Sequence, residues 1–122
     1  MLPSNPIELL ACAIGTEEGV FAPGSLPMRN NNPGDLRFAG QLNAVEGESG
    51  FAVFSSMPAG VVGLYRQLLA QVAEGQTVRQ IIAQWAPPTE NNTSQYLANV
   101  LKWTGLPADT PVMELMPPLV NL

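Results

Sequence analysis

Apolar residues recur at helical spacing in four separate stretches of this chain, and each stretch carries its own start and stop signals. The first comprises Ile7, Leu10, Ala11 and Ile14. Asn5-Pro6-Ile7-Glu8 opens it with a capping side chain, a proline at the first helical position, where no N–H is needed, and an acid three residues after the cap. Gly19 is a natural stop, since glycine accepts the left-handed turn that ends many helices. The second helix opens near Ser56-Met57-Pro58, shows one apolar face through Val61, Leu64, Tyr65, Leu68, Leu69 and Val72, and ends at Glu74-Gly75. Thr77 caps a shorter third helix with Val78, Ile81 and Ile82, which Trp85-Ala86-Pro87-Pro88 stops because proline disfavours helix at the residue before it. Thr93 or Asn92 caps a fourth with Tyr96, Leu97, Val100 and Leu101, closed by Gly105.

The stretch between the first two helices has a different pattern. Pro23-Gly24-Ser25 and the asparagine run after it predict a long irregular loop, and Leu36–Phe38 and Phe51–Phe54 predict two short strands joined by a polar connection from Gly40 to Gly50. A last turn is expected at Thr110-Pro111 in the tail. Helices around one small hairpin make a mostly helical α+β domain, and 122 residues without repeats or low-complexity segments make one such domain, residues 1–122.

Helical phase singles out one carboxylate. At about 100° per residue with Ile7 at zero, the apolar stripe of the first helix centres near roughly 350°, Glu18 falls near ~20° and Glu17 near ~280°. Glu18 therefore lies on the stripe and Glu17 at its margin. Burial disfavours the charged form of a carboxyl, and the negative end of the helix dipole does the same, so both raise the pKa of Glu18. A carboxyl held neutral near pH 7 is what a general acid requires. The alternative is a frayed helix end at which both glutamates reach solvent.

Composition narrows the chemistry further. There is no histidine, which removes imidazole-based triads and the usual zinc sites, and neither metal nor cofactor is expected. Five basic residues against ten acidic ones, a net charge of −5, argue against a nucleic-acid partner. No apolar run approaches a membrane span. The start of the chain lacks a basic, then apolar, leader pattern, so synthesis in the cytoplasm without a signal peptide is expected. A lone Cys12 suits a reducing compartment and a small buried hydrophobe. What remains is carboxylate chemistry, acid-catalysed bond cleavage such as glycoside cleavage, or no chemistry at all.

The combination of a first helix ending in "EEG", then "APGSLPMRNNNPGDLRF", "GFAVF" and "QWAPPTENNTSQYLANVLKWTG" resembles a known family. These are the small lysozyme-like muramidase domains of phage virion proteins and prophage-type bacterial proteins, related to lytic transglycosylases. The resemblance runs from Ile7 to Leu106 and leaves residues 107–122 as a C-terminal tail. It implies a lysozyme-like fold and cleavage of the β-1,4 link between N-acetylmuramic acid and N-acetylglucosamine in the glycan strand of peptidoglycan. It also implies virion or secretion-system partners and action on the periplasmic wall after delivery, or as a virion component.

By that resemblance Glu18, immediately before the glycine, matches the catalytic acid, and Tyr96 is similar to a tyrosine placed beside it. The family pattern usually reads Asn-Pro-Gly-Asn, whereas this chain has Asp35 in the last place. Asp35 can cap or turn as well as asparagine; if the position binds substrate through an amide N–H, Asp35 removes that donor and weakens the functional reading; or it can supply a second carboxylate. In the asparagine run, Asn32 is the first choice for the cleft and Asn31 and Asn30 follow, against the alternative that all serve the turn. Tyr96 and Trp85 also read as core packing, and Arg29 and Arg37 as solvated or structurally paired. Glu90 reads as favouring the start of the fourth helix, and Glu46 and Glu48 sit where a lysozyme's second carboxylate can lie. With one convincing acid and no obvious partner, the single-glutamate transglycosylase mechanism is favoured. The rival is a structural or peptidoglycan-binding virion or adaptor protein on the same scaffold, supported by the acidic net charge and by Asp35.

Overall fold

The computed structural model describes residues 5–88 and 92–117; Glu90, expected near the start of the fourth helix, lies outside them. The described chain is mostly helical with a small two-stranded antiparallel sheet. Its helices are α1 Pro6–Glu17, α2 Leu26–Arg29, α3 Met57–Ala73, α4 Val78–Trp85, α5 Thr93–Thr104 and α6 Val112–Leu115, and its strands are β1 Ala44–Glu46 and β2 Ala52–Phe54.

The expected caps are in place. The Asn5 side chain accepts from the Ile7 N–H, Ser56 caps α3 through the Ala59 N–H, and Asn92 rather than Thr93 caps α5. At α4 the Thr77 and Gln80 side chains satisfy each other's backbone N–H groups, a reciprocal capping box. The stripes of α1, α3, α4 and α5 converge on one core in which Leu10, Ile14, Leu68, Val78, Ile81, Ile82 and Val100 have lost essentially all contact with water. The tail closes this core. Val112 of α6 is fully buried, its N–H donates to the Gln76 carbonyl, and Arg79 meets Asp109 in a two-pronged surface ion pair.

The other lobe, between α1 and α3, departs from the expected pattern. The loop after Gly19 holds the one-turn helix α2, capped by Ser25. The hairpin is β1–β2, with Val45 opposite Val53, so the predicted strand Leu36–Phe38 is replaced by Ala44–Glu46. Leu36–Phe38 still runs beside β2, through a single bridge at Arg37 and Phe51, but on the opposite edge from β1. Alternation along Leu36–Phe38 is equally compatible with either role, and the ladder, not the pattern, decides between them.

Two further expectations are corrected. Cys12 is exposed, because it stands about 140° from Ile7 and so opposite the buried stripe. On α3, Leu69 and Val61 are 50% and 38% exposed, since the packed face is rotated toward Gly60, Gly63 and Gln71. The glycines explain the rotation. A Cβ on Gly63 would stand 2.6 Å from the Phe54 ring, and one on Gly60 would collide with the Asn31 carbonyl, so only a bare backbone lets the lobe seat this closely on α3.

Candidate active site

The last turn of α1 fixes Glu18. Gly19 sits in the left-handed region at φ +84°, its N–H donates to the Thr16 carbonyl, and the Val20 N–H reaches back to Gly15 at 3.0 Å. These two bonds form a Schellman ending, which makes Glu18 the C-cap residue and holds its side chain over the edge of the core. From α5 the Tyr96 hydroxyl donates to a Glu18 carboxylate oxygen at 2.6 Å. Tyr96 is 9% exposed and Glu18 is half-buried, so the contact is largely shielded from water.

Burial dominates the electrostatics and drives the Glu18 pKa up to about 7. The Tyr96 hydrogen bond opposes the rise, while the negative charges of Asp35 and Glu17 add to it. Burial also pushes the Tyr96 phenol up, and the neighbouring Glu18 charge reinforces this, so the phenol stays protonated and remains a donor.

Glu18 opens into a cleft of about 510 Å³ between the lobe and α3–α4, and Asp35 and Trp85 line it as well. A smaller hollow of about 240 Å³ toward Leu42 and Arg66 lies beside this groove and shares Leu36 and Gln67 with it. Asp35 is held in the left-handed region at φ 48°, half-buried, with one carboxylate oxygen sealed and unpaired among the described residues. Burial raises its pKa and the nearby Arg37 charge partly offsets this. The structure thus brings Glu18, Tyr96 and Asp35 together in one place. Glu46 and Glu48 do not line the groove.

The asparagines stand behind this site. Asn32 is fully buried, and its amide donates to the carbonyls of Leu36 and Ala52 at 3.0 and 2.9 Å while accepting from the Leu36 N–H at 2.9 Å. Both of its donors are used, so the placement of Asn32 on the cleft wall gives way to a supporting role beneath the loop. Asn31, in the left-handed region at φ 51°, donates to the Phe54 carbonyl at 3.1 Å. The Asn30 carbonyl accepts from the Phe54 N–H. The run therefore serves as a third strand built partly of side chains, clamped along the free edge of β2. Trp85 completes the frame, its indole N–H donating to the Gly34 carbonyl at 2.9 Å and tying the loop to the end of α4. Arg37 lies over the Phe51 ring, 4.4 Å from its centre, and also donates to the Ser49 carbonyl.

Sequence reasoning missed the glutamines of the groove. Gln67, Gln71 and Gln84 line its α3–α4 wall, and Gln71 is only 3% exposed. The signal was available, because Gln71 lies in phase with Leu64 and Leu68 just as Glu18 lies in phase with Ile14.

Among the described residues no group of three or more His, Cys, Asp or Glu side chains could hold a metal ion. Chemically, the site offers a carboxyl protonated near neutrality, a phenol aimed at it, a second carboxylate and a polar wall of amides. The chain matches no protein-family model, no curated protein and no solved structure.

Proposed function

We propose that this protein is a lysozyme-like enzyme that cleaves the β-1,4 bond between N-acetylmuramic acid and N-acetylglucosamine in peptidoglycan, with Glu18 as its general acid. The observation that carries this reading is the half-buried Glu18 in an open groove, its pKa at about 7 and its carboxylate bonded by Tyr96. A neutral Glu18 gives its proton to the glycosidic oxygen as the bond breaks. The resulting carboxylate then takes the proton of the muramic 6-hydroxyl as that oxygen attacks the anomeric carbon, closing an anhydro ring. One glutamate serves both steps, and Tyr96 holds it in place between them.

A second reading rests on Asp35, whose sealed oxygen shares the groove with Glu18. As a second carboxylate it activates water or attacks the sugar, and the products are then hydrolytic. The delivery route carried by the same family resemblance is export from the cytoplasm to the periplasmic wall, or carriage on a virion.

Digestion of purified cell walls by the wild type, Glu18→Gln and Glu17→Gln, with mass spectrometry of the soluble products, tests the reading. Wild type and Glu17→Gln should release fragments with anhydro ends, one water lighter than reducing ends, and Glu18→Gln should release none. Reducing-end products instead select the Asp35 mechanism. No release by the wild type leaves a structural or wall-binding protein on this scaffold.

The same variant checks the pKa. The Glu18 value lies near 7 in the folded state against 4.5 for the free side chain, so folding favours the proton. The linked stability is therefore fully present below about 4.5 and lost as pH rises through about 7. Cleavage should decline over the upper end of that window, and Glu18→Gln should flatten the melting temperature across it.

A further inference from the structure

Asp35 stands in the left-handed region at φ 48°, and one of its carboxylate oxygens is sealed and unpaired among the described residues. A backbone in that sparsely used region persists only where its surroundings hold it there. From the lobe, the Asp35 N–H donates to the Asn32 carbonyl and the Leu36 N–H donates to the Asn32 amide oxygen. From the helical side comes the bond of Trp85, whose indole N–H donates to the Gly34 carbonyl at 2.9 Å. That carbonyl is half of the planar peptide group that joins Gly34 to Asp35, so the bond fixes the plane from which Asp35 departs. The ring seats the same peptide. Gly34 is buried, and a Cβ there would stand 3.3 Å from the Trp85 ring and 3.0 Å from Leu64.

Glu18, Asp35 and Trp85 all line one cleft. Tyr96 from α5 and Asp35 from the loop face Glu18, with Glu17 beside it on the turn that ends α1. Tyr65 of α3 faces Glu8 and Cys12 instead, and Arg37 acts on Asp35. Of the groups around Glu18, Asp35 is the one carried by a loop, so its distance from Glu18 is set by what anchors that loop. We propose that Trp85 is a positioning residue, which through the Gly34 carbonyl holds the Asp35 carboxylate against Glu18. The consequence for cleavage rests on the reading of Glu18 as the general acid, whereas the coupling of the two carboxyl groups does not.

The sign of the effect follows from charge. The negative charge of Asp35 adds to the rise of the Glu18 pKa, so removing it or letting it retreat lowers the Glu18 midpoint. The test follows the Glu18 carboxyl by NMR through a pH titration in the wild type, Trp85→Phe, Asp35→Asn and the double variant, each beside a thermal melt. Trp85→Phe keeps an aromatic ring and removes the donor. Each single variant should lower the midpoint by at least about 0.3 pH unit, roughly a twofold change in proton affinity. The double variant should match Asp35→Asn, because an effect that passes through Asp35 is lost with it. A Trp85→Phe protein that melts lower yet keeps the wild-type midpoint gives Trp85 a packing role only and overturns the inference. So does a Trp85→Phe shift that persists in full beside Asp35→Asn, and so does an unmoved midpoint in Asp35→Asn. If Trp85→Phe fails to fold, hydrogen exchange of the wild-type indole N–H groups decides the matter. The Trp85 N–H should be protected relative to that of Trp103, which is 64% exposed, and equal exchange of the two overturns the inference. Wall digestion stays separate. Coupled midpoints in a protein that releases nothing from walls sink the catalytic reading and leave this one standing, and release with uncoupled midpoints sinks only this one.

Discussion

The two sides of the groove are held together by different forces. The helical side, built by α1, α3, α4 and α5, is a body of interlocking apolar stripes with Leu10, Ile14, Leu68, Ile81, Ile82 and Val100 at its centre. The lobe from Val20 to Ser55 contributes little to the buried apolar set, Val20, Ala52 and Phe54 beside Pro27 and Pro33. What shapes the lobe instead is a set of side-chain bonds to backbone, from Ser25, Asn31, Asn32, Arg37 and Gln41. Apolar burial is non-directional, and a core accepts many shapes of similar volume. A buried amide that bonds three backbone groups accepts almost no replacement. The helical side should therefore be tolerant of substitution and the lobe intolerant, although both must stay rigid for Glu18 to face Asp35 across one cleft.

The contrast can be broken most severely at Asn32. Asn32→Ala leaves the Ala52 carbonyl and the Leu36 N–H without partners, while the Leu36 carbonyl keeps the Ala52 N–H, at about 1–3 kcal/mol for each group left bare. A loss of roughly 2–6 kcal/mol is expected by urea denaturation, a large part of the ~5–15 kcal/mol that holds a typical domain. A loss below about 1 kcal/mol would mean that the lobe does not depend on its amides.

Tyr96→Phe gives a smaller effect and probes the seam between the two sides. The ring and its packing remain and only the bond to Glu18 is lost, so stability should change by about 1 kcal/mol. The initial rate of wall clearance should fall tenfold or more, about 1.4 kcal/mol of barrier, because Glu18 loses the contact that orients it. Full activity with a large drop in melting temperature would make Tyr96 an ordinary core residue. The smallest effect belongs to the helical side. Ile81→Val removes one buried methylene and should cost about 0.5–1.5 kcal/mol, with wall clearance unchanged.

The same division explains how much could be read from the sequence. The helices announce themselves, since spacing, caps and the glycine stops act within a few residues, and Glu18 was legible as a carboxylate on an apolar stripe. The hairpin and its second strand, Phe51–Phe54, were legible, but its first strand was not, because the choice of Ala44–Glu46 over Leu36–Phe38 depends on bonds made across the fold. The asparagines could be seen to matter, yet whether their amides face a ligand or the backbone is decided by burial, which no local pattern encodes. Gly60 and Gly63 went unread for a similar reason: each is tolerated in a helix interior only because another segment presses against it.

The clamp on β2 has a bearing on how molecules of this protein meet one another. A strand edge with vacant N–H and carbonyl groups is a template on which a second chain can add. Along Ala52-Val53-Phe54, the edge facing away from β1 is already occupied by the Asn30 and Leu36 carbonyls and the Asn31 and Asn32 amides. Removing Asn32 would do more than loosen a loop. It would uncover an apolar strand with open ladder positions, the kind of edge that pairs with a second copy and seeds aggregation.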